Sequence, residues 1–180
     1  KSKIFNINRF LNRLNFLLNK SMISILNIKK RNEKFHSRYS AKARIYQYII
    51  LNRESVPTIN KNRVWHIRKK INLENIKRGA KFLVGKKDFS TFRASSCSAK
   101  SPIRTLEKVN ILKKKNQIFI EFRSRSFLQT QVRSMVGCLK YLGEGKWDLK
   151  KFKNVTLSKK RIFCAPPAPP SGLFLKKVIY

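Results

Sequence analysis

The chain has 180 residues, 42% of them hydrophobic, and carries 43 Lys and Arg against 8 Asp and Glu for a formal net charge of +35. That apolar content excludes a disordered tail and suffices for one ordinary core, while such an excess of positive charge calls for a polyanion to screen it, so nucleic acid is the leading partner. The longest unbroken apolar runs, such as Ile49-Ile50-Leu51, are too short to span a bilayer, so no membrane partner is expected.

The chain opens on Lys1 rather than Met, only a few residues before a well-formed amphipathic segment, and is expected to be a cut chain. Ile7, Phe10, Leu11, Leu14, Leu17 and Leu18 share one face at helical spacing, which predicts a helix over 6–19. Met22 to Ile28 reads as a short strand, and the charged stretch 29–34 as a connector between domains. Lys42 to Asn52, rich in Ile and Tyr at alternating positions, reads as a central strand covered on both faces. Pro57 and the run Asn60-Lys61-Asn62 mark a loop. Leu73, Ile76, Ala80, Leu83 and Val84 form the stripe of a second helix, with Asn72 as its N-cap and Gly85 as its stop.

Residues 86–104 are polar, basic and irregular, and a loop of that length inside a compact domain is more often functional than idle. Leu106–Leu112 and Gln117–Phe122 predict a hairpin about a Lys-Asn turn. A third helix is expected from Leu128 to Leu142, ended by Gly143 and Gly145. Asp148 caps a short fourth helix, and the Pro-rich segment 165–172 leads into a last strand, Leu173 to Ile179. The expected class is α+β with a mostly antiparallel sheet flanked by helices.

Several chemistries have no sequence support. There is no Gly-rich phosphate loop, no zinc-binding His-Glu-His pattern and no Ser-His-Asp arrangement. His36 and His66 stand alone and read as structural. Cys97, Cys138 and Cys164 are odd in number, widely spaced and without a CxxC pair, which argues against a disulfide framework and a zinc site and fits a reducing cytoplasm. Two segments, Phe35 to Tyr39 and Phe89 to Arg93, interleave aromatic rings with Arg. Such mixtures let cations meet phosphates while rings stack on unpaired bases; equally, the rings belong to the core and the Arg side chains snorkel outward.

Four blocks carry a family resemblance: FHSRYSAKARIYQYIILN at 35–52, KDFSTFRASSCSAKSPIRT at 87–105, SFLQTQVRSMVG at 126–137 and APPAPPSGLFLKKVIY at 165–180. In order and spacing they resemble the C-terminal part of the bacterial tRNA pseudouridine synthase A family. The resemblance implies the pseudouridine synthase fold, built of two ferredoxin-like halves. Residues 1–33 would be a remnant of an incomplete N-terminal catalytic half, and 34–180 the C-terminal half.

It also implies an activity: isomerisation of uridine to pseudouridine in the tRNA anticodon stem-loop, at tRNA positions 38–40, without cofactor or metal. The implied partner is tRNA, bound by a cytoplasmic homodimer. Tyr46, at the first Tyr of a Tyr-x-Tyr pair, would stack on the uracil and act at C5, although alternation puts Tyr46 and Tyr48 on one strand face and cannot choose between them. Arg133 matches the Arg that pairs with the catalytic Asp, which suits a guanidinium holding a carboxylate ionised. Arg93 and Phe92 fall in the RNA-contacting Phe-Arg-Ala loop, and Arg38 and Arg44 are candidate phosphate contacts.

Two departures stand out. The family's Gly-Arg-Thr-Asp-Ala-Gly motif does not occur in these 180 residues, and neither Asp88 nor Asp148 lies near a Gly-Arg-Thr pattern, so the chain alone is expected to be inactive. The family's His-His before the Val-Arg of the third helix falls within Gln129-Thr130-Gln131 here. The alternative to an enzyme is a synthase-derived RNA-binding protein without activity.

Overall fold

The computed structural model describes residues 6–180; the Lys1 start lies outside the described residues. The chain divides into two compact units, Lys1–Tyr39 and Ser40–Tyr180.

In the first unit, Asn6 accepts the backbone N–H of Arg9 at 3.0 Å and caps helix α1, Ile7–Leu18. This is the helix that the periodicity predicts. The strand expected over 22–28 does not form. A strand needs a ladder partner, and none pairs with this segment among the described residues. Instead the side chain of Asn15 takes over that role for one residue: its Oδ1 accepts Ile25 N–H at 2.7 Å and its Nδ2 donates to Ile25 O at 2.9 Å.

The second unit is a mixed, mostly antiparallel sheet. Strand β1, Ala43–Asn52, has β5, Gln117–Ser124, along one edge. Its other edge is shared by β6, Leu173–Ile179, and the short parallel strand β2, Trp65–Ile67. Beyond β5 lie β4, Ile103–Lys114, and then β3, Gly85–Asp88. Strand β3 corrects the expectation of an irregular segment from residue 86. Gly85, at φ +109, turns the chain out of the preceding helix, and Lys86 and Lys87 then pair with Thr105 and Arg104.

Helices α2, Leu73–Lys81, and α3, Gln131–Gly143, pack on this sheet, and α4, Leu149–Leu157, packs against those two helices. Tyr48 and Ile50 of β1, with Ile118, Ile120 and Phe122 of β5, meet Met135, Val136 and Leu139 of α3 in one core. The opposite face of β1 carries the half-buried Ile45, Gln47 and Ile49 between the buried Ala43 and Leu51. The expected two-sided cover is present: each face of β1 has two buried residues, and Arg44 and Tyr46 on the α3 side are half-buried like Ile45 and Gln47 on the other. Helix α3 begins three residues later than expected, because Leu128 belongs to a tight turn closed by Gln131 N–H donating to its carbonyl. No helix among the described residues is long and apolar enough to cross a membrane.

Both predicted N-caps form. Asp148 Oδ1 accepts Lys151 N–H at 2.6 Å, and Asn72 Oδ1 accepts Asn75 N–H at 3.1 Å. The Asn72 backbone also donates to Gly143 O at 2.8 Å, tying the start of α2 to the end of α3. Replacing Asn72 with Ala removes only the side-chain cap. A loss of about 1 kcal/mol is expected, read in urea denaturation as a lower midpoint at unchanged slope.

Candidate active site

A cavity of about 430 Å³ opens where β1, the start of α3 and the start of β6 converge, and its wall includes Tyr46, Phe127, Gln129, Thr130, Gln131, Arg133 and Leu173. Both sequence-predicted catalytic residues therefore line one cavity. Tyr46 comes from the α3 side of β1, two residues before Tyr48. Its ring meets Phe127 edge-on, with centroids 5.2 Å apart. Its hydroxyl makes no hydrogen bond within the described chain.

Tyr48 is in a different situation. It is fully buried, and its hydroxyl donates to Pro169 O at 2.7 Å. Burial pushes its phenol far above the usual tyrosine range, with the Arg133 guanidinium pulling weakly the other way. A phenol sealed in the core and committed to a carbonyl cannot meet a substrate. The geometry thus separates two tyrosines that strand alternation leaves equivalent.

Arg133 sits on the first turns of α3 and is held twice by the Pro-rich segment crossing the helix. Its Nε donates to Ala168 O at 2.6 Å, and Ala168 N–H donates to Arg133 O at 3.0 Å. The segment can come this close because Gly137 lies beneath it: a Cβ there would stand 2.1 Å from Pro166 O. With Nε engaged, the two terminal amino groups retain the paired-donor geometry that suits a carboxylate. No acidic residue lines the cavity, although all eight lie in the described region. Asp88 is engaged with Ser90 N–H at 2.8 Å, and Asp148 with its helix cap.

The turn between β5 and α3 is held at several points. Ser124 Oγ donates to Thr105 O and lies 3.3 Å from Ser126 N–H, setting the exit toward Phe127. Thr130 adopts φ +65, a left-handed conformation that is unusual for a β-branched residue and costs on the order of 1–3 kcal/mol. It persists because its neighbours are pinned: Leu128 N–H donates to Gln131 Oε1 at 2.8 Å, and Ala94 N–H to Gln129 O at 3.1 Å. Gln131 is 1% exposed, and its Nε2 is buried without a hydrogen-bond partner. Phe127, Thr130 and Ala168 have no signal in the residue pattern that would single them out.

The remaining candidates fall elsewhere. Phe92, expected at the substrate, is 1% exposed and packs against Phe89 in the core, so it has no face to offer a base. It anchors the loop instead. Arg93 closes that loop by donating to Cys97 O at 2.6 Å, one residue before the Ala94–Gln129 tie to the cavity turn. Arg44 precedes Tyr46 by two residues on the same strand face, and its guanidinium donates to Arg125 O. Arg38 belongs to the first unit, where its guanidinium lies over the Tyr39 ring at 5.6 Å.

Similarity to known proteins bears on this geometry. Residues 80–180 match a family described as tRNA pseudouridine synthase. The chain is 62% identical over 180 residues to tRNA pseudouridine synthase A of Pelagibacter ubique (strain HTCC1062), covering 100% of this chain and 73% of that protein. It is 46% identical over 158 residues to the protein of that name from Bartonella tribocorum, covering 88% of this chain and 64% of the relative. For the Caulobacter vibrioides (strain NA1000 / CB15N) protein the figures are 40% over 169 residues, 94% and 68%. The chain thus spans from just under two thirds to about three quarters of the length of these relatives. A match over the whole of this chain at 62% identity, with the α3 and Pro-rich segments inside the matched family region, places the chain in the tRNA pseudouridine synthase family.

Proposed function

We propose that this chain supplies the tyrosine and arginine of an active site that converts uridine to pseudouridine in the tRNA anticodon stem-loop. The observation that supports this reading is the single cavity bordered by both Tyr46 and Arg133. Uridine in a stem-loop must leave its stack to enter such a cavity, at a cost of a few kcal/mol. The net +35 charge provides the attraction to phosphate that brings the RNA in, with a correspondingly strong dependence on salt.

In the reaction the C1′–N1 bond breaks, the base turns, and C1′ joins C5. The hydrogen at C5 leaves as a proton and N1 gains one. Tyr46 is suited to the base: its ring can cover the uracil while its uncommitted hydroxyl takes part in deprotonation at C5. Arg133 is suited to the carboxylate that starts C1′–N1 cleavage, keeping it ionised and oriented. That carboxylate is the Asp of a Gly-Arg-Thr-Asp-Ala-Gly motif outside these 180 residues, and the longer relatives leave room for it. On this reading residues 1–33 belong to the half of the protein that carries the motif. The working form is a cytoplasmic homodimer on tRNA.

The test is pseudouridine mapping of an unmodified tRNA transcript incubated with the complete gene product in EDTA. Conversion of anticodon-arm uridines is expected, undiminished by the chelator. Binding of the transcript without conversion would overturn the proposal in favour of an RNA-binding role alone.

A further inference from the structure

Cys138 and Cys164 are separated by 26 positions in the chain, yet their sulfurs lie 3.5 Å apart. Cys138 is fully buried on α3, while Cys164 is only partly covered and begins the Pro-rich segment. Arg161 stands beside them, anchored by donating to Ser134 Oγ at 2.7 Å and by a longer bond to Thr91 O at 3.4 Å. We propose that Cys138 and Cys164 are a peroxide-oxidised dithiol site, which forms a reversible disulfide between α3 and the segment that holds Arg133.

The two thiols are not equivalent, and the asymmetry sets the order of events. The hydrogen bond from Cys138 holds the Cys164 thiol below the usual cysteine range, aided by Arg161 and Ser134 and opposed by burial. The same contact, with burial, pushes Cys138 well above it. A partly exposed, thiolate-prone sulfur beside a fixed cation is the reactive kind; a buried apolar one is not.

Cys164 thiolate attacks one oxygen of hydrogen peroxide, the O–O bond breaks, and Cys164 becomes a sulfenic acid as water departs. Cys138 then gives up its proton, attacks the Cys164 sulfur and displaces a second water. Two thiols and one peroxide become one disulfide and two waters, the sulfurs together losing the two electrons that the peroxide gains. The sulfurs must approach by about 1.5 Å to reach a bond length of ~2.05 Å.

The strap makes the site consequential. From Cys164 it runs over Gly137 at Pro166 and reaches Arg133 at Ala168. A cross-link at its first residue clamps it to the same helix that carries the arginine.

The experiment treats the complete gene product with hydrogen peroxide, blocks remaining thiols with N-ethylmaleimide, and sequences the digest by mass spectrometry. The expected product is a cross-linked peptide pair joining Cys138 to Cys164, short of two hydrogens and cleaved by dithiothreitol, with Cys97 alkylated. In a Cys138→Ala variant, Cys164 should instead be trapped by dimedone as sulfenic acid. Full alkylation of both cysteines after peroxide would overturn the proposal, as would over-oxidation of Cys164 in the unaltered protein without any cross-link. A contact that is merely structural gives the first of these results.

Discussion

A Tyr46→Phe variant of the complete gene product is expected to bind tRNA with unaltered affinity and to release almost no tritium from transcripts labelled at uridine C5. The change deletes one oxygen that makes no hydrogen bond within the described chain, and it leaves the edge-on contact with Phe127 in place. The melting temperature should therefore not move. The rate should fall by about 10²–10⁴-fold, the range that a positioned proton-transfer group contributes. Tyr48→Phe is the matched control with the opposite signature. It leaves the Pro169 carbonyl without its partner at a cost of about 1 kcal/mol, but release of the C5 hydrogen should persist. The two variants alter the same atom, two residues apart on one strand, so the contrast depends on position alone.

Gly137→Ala should produce the largest loss of stability of any single methyl added to this unit's helices. The new Cβ would sit 2.1 Å from a backbone oxygen, Pro166 O, and 3.2 Å from its carbon. A side chain could swing aside; a Pro-Pro backbone cannot do so locally. The strap must lift, and with it the Ala168 carbonyl that holds Arg133 Nε. Overpacking of this kind costs about 2–3 kcal/mol, which for a protein of this size lowers the melting temperature by roughly 5–10 °C. Activity should fall further than the folded fraction does, because the remaining folded molecules carry a displaced arginine. Calorimetry paired with the tritium assay separates the two effects.

What the sequence made readable was what is local. Helices α1 and α2 follow from apolar spacing plus a side-chain cap that hydrogen-bonds within three residues. The Tyr and Ile content of β1 marks a central strand, and it is paired along both edges. The failures are matters of partnership. Met22 to Ile28 has strand-like composition but no ladder to join among the described residues, and Asn15 satisfies one of its residues instead. Strand β3 has the reverse problem: Lys86, Lys87 and Asp88 carry no strand signal and are recruited by the edge of β4.

The site divides in the same way. Arg133 and Tyr46 could be named from family motifs, but strand alternation alone cannot separate Tyr46 from Tyr48, and the physical distinction rests on a carbonyl 121 positions away from Tyr48. Phe92 is named by the resemblance of its loop to the family's Phe-Arg-Ala loop, whereas the fold turns Phe89 and Phe92 inward. The thiol pair is invisible in the sequence, since only the crossing of the strap over α3 brings Cys164 to Cys138.

The most direct measurement places 5-bromouridine at a modified position of the anticodon arm, irradiates the complex and sequences the protein–RNA adduct. Attachment at Tyr46, or at Phe127 beside it, is expected if the reacting base occupies the cavity bordered by Arg133. Attachment confined to Lys114 or Lys176, which line the cleft on the other face of the sheet, would contradict it.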